Sequence, residues 1–111
     1  MQLADITREL DLTPCTGDGR AEREVTGGCV SDLLSYAMAN ARAGNVWVTI
    51  QVHPNIVGVA ELLDLAAVIV AGGQTPEKAT LDKAREQGVS ILTTPETAFT
   101  VAGRLYALGV R

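Results

Sequence analysis

Ala67-Val68-Ile69-Val70-Ala71-Gly72-Gly73-Gln74-Thr75-Pro76-Glu77 is the stretch on which the fold turns. The apolar run reads as a strand, and Gly72-Gly73 ends it in a tight turn. Thr75-Pro76-Glu77 then reads as a helix start. A threonine hydroxyl can cap it, proline lacks only an N–H that the first turn leaves unused, and the glutamate meets the positive end of the helix dipole. The grammar returns at Val89-Ser90-Ile91-Leu92-Thr93-Thr94-Pro95-Glu96. Two units built by the same local rules look alike, so the repeat needs no duplication to explain it. Short apolar strands alternating with helices predict a parallel α/β sheet. Ligands of such sheets lie at the carboxyl ends of the strands, where both turns fall.

Outward from this stretch the pattern is consistent. Val46 to Val52 alternates with period two and is the best strand in the chain; His53-Pro54-Asn55 follows, then a helix from about Asn55 to Asp64. Helix Pro76 to Gln87 carries one charged face and is capped by Gly88, and helix Pro95 to Leu108 stops at Gly109. Upstream, Leu3, Ile6, Leu10 and Leu12 mark a helix ended by Pro14, and Cys15 to Ala21 reads as a loop. Arg23 to Thr26 reads as a strand running into Gly27-Gly28. A helix from Ser31 to Ala43 then carries Leu33, Leu34, Ala37, Met38 and Ala41 on one face and stops at Gly44-Asn45. The expectation is one domain over residues 1–111, a three-layer α/β sandwich with a small, mostly parallel sheet of about four to five strands flanked by helices.

Composition excludes several functions. Nine basic against 13 acidic residues give a net charge of −4, without the basic footprint that nucleic acid requires. No apolar run approaches a membrane span, and Met1-Gln2-Leu3-Ala4-Asp5 lacks a basic export region, so the expected location is cytoplasmic. Cys15 and Cys29 form neither a C-x-x-C pair nor, with one histidine in the chain, a zinc set, and read as two reduced thiols. No metal ligands are assigned, and the sequence leaves the cofactor unknown.

Catalytic constellations are thin. The chain has no phosphate loop of the G-x-x-x-x-G-K-[ST] type, no G-x-S-x-G elbow and no H-E-x-x-H. No catalytic residue is assigned. His53 is the one histidine and falls at the expected carboxyl edge, beside Gly27-Gly28, Gly72-Gly73 and Thr93-Thr94. It reads either as a ligand contact or as a residue holding its own turn. Gly72-Gly73 likewise supplies either positive φ for the turn or a bare backbone whose N–H groups, with the helix start, reach an anion. The candidate ligand-binding residues are His53, Asn55, Gly72, Gly73, Gln74, Thr75, Thr93 and Thr94, with a crevice expected between His53 and Gly72-Gly73.

From about Val25 to Tyr106 the chain resembles the DRTGG domain. The likeness lies in the strand into His53-Pro54-Asn55-Ile56, the turn Val70-Ala71-Gly72-Gly73, the run Ala84-Arg85-Glu86-Gln87-Gly88-Val89-Ser90-Ile91-Leu92, and Thr93-Thr94 leading to Glu96-Thr97-Ala98. The family's Asp-Arg falls on Val52-His53 and its Thr-Gly-Gly on Ala71-Gly72-Gly73. The resemblance implies a regulatory, dimer-forming α/β module without catalysis of its own, related in fold to the amino-terminal domain of HPr kinase/phosphorylase. The function expected is therefore a non-catalytic ligand-sensing or interaction module, a homodimer that can serve a larger metabolic or signalling protein. The alternative is a small stand-alone enzyme, a transferase or hydrolase using His53.

Overall fold

The computed structural model describes residues 1–17 and 20–111, so the loop expected over Cys15 to Ala21 lies in part, at Asp18 and Gly19, outside the described residues. The elements run α1 (Leu3–Glu9), β1 (Thr13–Pro14), β2 (Gly27–Val30), α2 (Leu34–Asn40), β3 (Asn45–Thr49), α3 (Asn55–Leu62), β4 (Ala67–Val70), α4 (Lys78–Gln87), β5 (Ile91–Thr93) and α5 (Ala98–Ala107). The strands form one sheet in the order β1-β5-β4-β3-β2. Strands β2 to β5 are parallel, and β1 is antiparallel to β5. This is the expected α/β architecture, a mostly parallel five-stranded sheet flanked by helices.

Branched aliphatics put the core at the centre of the sheet. Every residue of β3 and β4 is buried, as expected for parallel strands covered on both faces. From β2 to β5 each strand is laid beside the one before it, always stepping the same way. Right-handed crossovers then put α2, α3 and α4 on one face. Side-chain packing agrees: Ala37, Ile56, Val57 and Ala84 share a cluster with Trp47, Val68, Val70 and Ile91. On the other face, Leu3 and Ile6 of α1 and Val101 and Leu105 of α5 pack on Val46, Val48, Ile69 and Leu92. The chain therefore leaves β4 and β5 toward opposite faces.

Several expected boundaries move, each for a tertiary reason. Pro14 does not end α1; Asp11 does so in a left-handed conformation (φ 53°), and Pro14 takes the sheet edge, where its missing N–H takes nothing from a ladder. The strand expected over Arg23 to Thr26 lies instead over Gly27–Val30. Val25 N–H donates to the Met1 carbonyl (2.9 Å), Glu24 pairs with Gln2, and Arg23 is committed to Asp64 (3.0 Å). Gly27-Gly28 consequently opens a strand at the amino edge of the sheet, opposite to the edge anticipated for it.

Helix α2 is shorter than Ser31 to Ala43, because Ser31 and Asp32 serve as tethers. The Ser31 carbonyl accepts from Trp47 Nε1 (2.8 Å), while Asp32 Oδ1 accepts from Thr49 Oγ1 (3.0 Å) and Ile50 N–H (2.9 Å). The last of these bonds draws Ile50 off the ladder, so β3 ends at Thr49 rather than Val52. On α2, Ala37 is buried and Ala41 follows it into the core, but Leu33 and Met38 face outward, at 67% and 47% exposure. Gly88 ends α4 at φ 68°, as expected. Arg23 lowers the Asp64 carboxyl below its usual range through hydrogen bonding and charge, and burial raises the Cys29 thiol. Among the described residues, no helix is long and apolar enough to cross a membrane, and no group of three potential metal ligands occurs.

Candidate functional site

The two turns that follow β4 and β5 come together, as their shared grammar suggested, but not as two capped helix starts. Gly72 (φ 72°) and Gly73 (φ 70°) bend the chain through consecutive left-handed residues that side chains rarely adopt. Gly72 N–H donates to the Glu96 carbonyl (2.7 Å) and Gly73 N–H to the Thr94 carbonyl (3.0 Å). The double glycine thus takes the positive φ of the first of its two readings, and both of its N–H groups are engaged by the neighbouring turn. The expected caps at Thr75 and Thr94 are corrected. Helix α4 begins at Lys78 after Glu77, without a side-chain cap, and α5 begins at Ala98 after Thr97, whose hydroxyl accepts from Thr100 N–H (3.3 Å). Thr94 is buried, and its hydroxyl accepts from Glu96 N–H (3.2 Å) inside the turn.

Because α4 and α5 depart to opposite faces, a crevice opens at the carboxyl ends of β4 and β5, as sheet topology requires where adjacent connections diverge. Its volume is about 320 Å³. Gly73, Gln74, Thr75, Thr93 and Thr94 line it, five of the eight residues anticipated from sequence. Thr13, Cys15, Pro76, Leu81 and Pro95 complete the lining. Cys15 Sγ lies 3.8 Å from Thr93 Oγ1. A Cβ on Gly73 would meet nothing within 4 Å, so the turn leaves open space beside it. Beyond the lining, Arg104 ties the β5 turn to the end of α1, bonding both Glu96 carboxylate oxygens (3.0 and 3.1 Å) and the Glu9 carbonyl (2.6 Å).

His53, Asn55 and Gly72 stand outside this lining. His53 Nδ1 accepts from Asn55 N–H (3.1 Å), so the ring holds the turn that starts α3. Beside it, the Val52 carbonyl accepts from Thr80 Oγ1 (2.6 Å) and Glu77 N–H (3.2 Å), which seats the His53 loop against the start of α4. Helices α3 and α4 lie on the same face, so nothing spreads the sheet edge between β3 and β4. Sequence reasoning missed Thr13 and Cys15 because β1 was read as helix end and loop. Their partner, Thr93, was legible.

A family model for the DRTGG domain matches residues 25–108. The chain belongs to the DRTGG domain family. Among solved structures, this DRTGG chain is similar to the CBS and DRTGG domains of the regulatory region of a Clostridium perfringens pyrophosphatase, which was crystallised with the activator diadenosine tetraphosphate. The TM-score is 0.76 at 19% identity, over 94% of this chain and 45% of that one. The likeness shows a shared fold, and the DRTGG chain spans less than half of that neighbour's length. A search of curated proteins found no match.

Proposed function

We propose that this chain is a regulatory module that binds a small ligand at the carboxyl edge of its sheet. The observation that carries the reading is the crevice between the β4 and β5 turns, where the connections that follow these two neighbouring strands leave for opposite faces. Its groups are the hydroxyls of Thr75 and Thr93, the Gln74 amide and the Cys15 thiol, with no Lys or Arg in the lining. Such a surface suits a neutral or weakly anionic polar ligand better than a polyphosphate. The family supports the regulatory part of the reading, since the similar pyrophosphatase domains belong to a regulatory region that takes an activator. His53 and Asn55 border the edge from the next turn, and the larger metabolic or signalling protein served by such a module belongs to this proposal too.

A thermal-shift screen against nucleotides and central metabolites, followed by NMR mapping of the hits, tests the reading. A ligand at a hundred times its dissociation constant adds about 2.7 kcal/mol to stability. Thr93→Leu, which fills the crevice and removes a hydroxyl, is expected to weaken binding at least about tenfold, the worth of one good polar contact. Asn55→Ala is expected to leave it unchanged. Mapping of the ligand to the amino edge of the sheet would sink the proposal.

We further propose that the module is a homodimer joined through α2. Tyr36 and Met38 are 51% and 47% exposed there, and Leu33 beside them is 67% exposed, an apolar surface that a second copy can cover. Sedimentation at tens of micromolar is expected to give a dimer, and Tyr36→Glu with Met38→Glu a monomer. A monomeric parent chain would refute the interface.

A further inference from the structure

Strand β2 ends the sheet on one side, with β3 as its one neighbour. Ser31 N–H donates to the Val48 carbonyl (3.2 Å), so Ser31 turns its main chain toward β3. Successive residues of a strand turn theirs to opposite sides, which leaves the N–H and C=O groups of Gly28 and Val30 aimed away from the sheet. These are also the two exposed residues of the strand. Native edges are blunted by proline, by charge or by a cover. The opposite edge follows that rule, with Pro14 in β1. Gly27-Gly28-Cys29-Val30 has neither proline nor charge.

The helices that border this edge carry exposed apolar side chains. On one face α2 has Tyr36 and Met38, with Leu33 just before it; on the other α5 has Phe99, 89% exposed, and Tyr106. Ala102, Tyr106 and Val110 close a hollow of about 260 Å³ against Gly28 and Val30. Phe99 lies on the same flank of α5, one turn before Ala102. Neither β2 nor α2 contains a charged residue, and the one charge on α5, Arg104, is turned to Glu96 (3.0 Å).

A second copy of the chain suits this surface for three reasons. Contact between identical faces sets each charge against its own kind, and β2 and α2 have none to oppose. A stable dimer takes roughly 800 Å² from each partner, and α2, with seven residues spanning about 10 Å, is too short to supply it alone. The strand also complements its own reverse. An antiparallel copy must match outward groups with outward groups, so Gly28 of each copy pairs with Val30 of the other. The Val30 side chain of one copy then stands over the hollow that Gly28 leaves in the other.

We propose that two copies of this chain join β2 to β2, antiparallel, about a two-fold axis at Cys29. The two sheets become one, with α2 against α2 on one face and α5 against α5 on the other. This pairing rests on the homodimer proposed above and makes the α2 contact one of its three layers.

The test is hydrogen exchange of the full chain, resolved by residue, at concentrations on either side of the sedimentation midpoint. The Gly28 and Val30 amides are expected to exchange at least about tenfold more slowly in the dimer. Val30→Pro removes an outward N–H and should weaken the dimer at least about tenfold with an unchanged circular dichroism spectrum. Val30→Thr keeps both the N–H and the branched shape and should keep the dimer. If Val30→Pro fails to fold, exchange in the parent chain decides alone. A dimer whose Gly28 and Val30 amides exchange as fast as in the monomer would overturn the edge pairing and leave the α2 contact standing. A folded Val30→Pro variant that dimerises as tightly as the parent would do the same. A parent chain that stays monomeric would remove both.

Discussion

Replacing Trp47 with alanine is expected to remove about 3–5 kcal/mol of folding stability, the usual loss for a large buried aromatic. Trp47 sits in the middle of β3, between β4 and β2, fully buried, with Ala37, Ile56 and Val68 in its cluster. Its indole Nε1 also donates to the Ser31 carbonyl at 2.8 Å, which fixes the segment between β2 and α2. The truncation leaves a cavity, a carbonyl without its partner and a looser entry into α2. Domains of this size hold about 5–15 kcal/mol in all, so the variant should stand near the edge of folding. Urea unfolding followed by circular dichroism gives the measurement, because the substitution removes the only tryptophan. A loss below about 1 kcal/mol would mean that the strand repacks far more freely than its close neighbours allow.

Thr16→Val is expected to cost about 2–4 kcal/mol, although the two side chains have nearly the same shape. The Thr16 hydroxyl takes the place of a strand residue where β1 runs out: it receives Ile91 N–H at 3.0 Å and gives its proton to the Val89 carbonyl at 2.7 Å. Valine leaves both main-chain groups buried and unpaired, at about 1–3 kcal/mol each. Thr16→Ser keeps the bridge and should lose well under half as much. Urea unfolding ranks the three proteins, and hydrogen exchange at Ile91 should accelerate in the valine variant alone. Equal stability of the valine and serine variants would show that the hydroxyl bridge contributes nothing.

The sheet was legible where burial dictates sequence. Ala67 to Val70 and Val46 to Thr49 announce themselves because a strand covered on both faces has little room for anything but aliphatics. Gly88 was legible because its left-handed conformation suits glycine best. Strand β1 was not, since Thr13-Pro14 becomes a strand only by lying against Leu92 and Thr93. The threonines of the two Thr-Pro-Glu runs misled for a related reason. A hydroxyl before proline serves a helix cap or a tight turn equally well, and the bonds from Gly72 to Glu96 and Gly73 to Thr94 decide for the turn. Five candidate residues meet in one crevice because they belong to adjacent turns that exchange those bonds. His53 and Asn55 were grouped with them by strand-end position alone. Position does not report that β3 and β4 send their helices to the same face.

Met1 and Arg111 finish near each other. The Met1 carbonyl accepts from Val25 N–H, and a Cβ on Gly27 would lie 3.6 Å from the Arg111 carbonyl carbon. Both ends thus reach the start of β2, on the rim of the sheet away from the β4 and β5 turns. A unit built this way behaves like a plug on two adjacent leads: it can be spliced into a surface loop of a host polypeptide, or circularly permuted, without dragging a linker across the opposite rim.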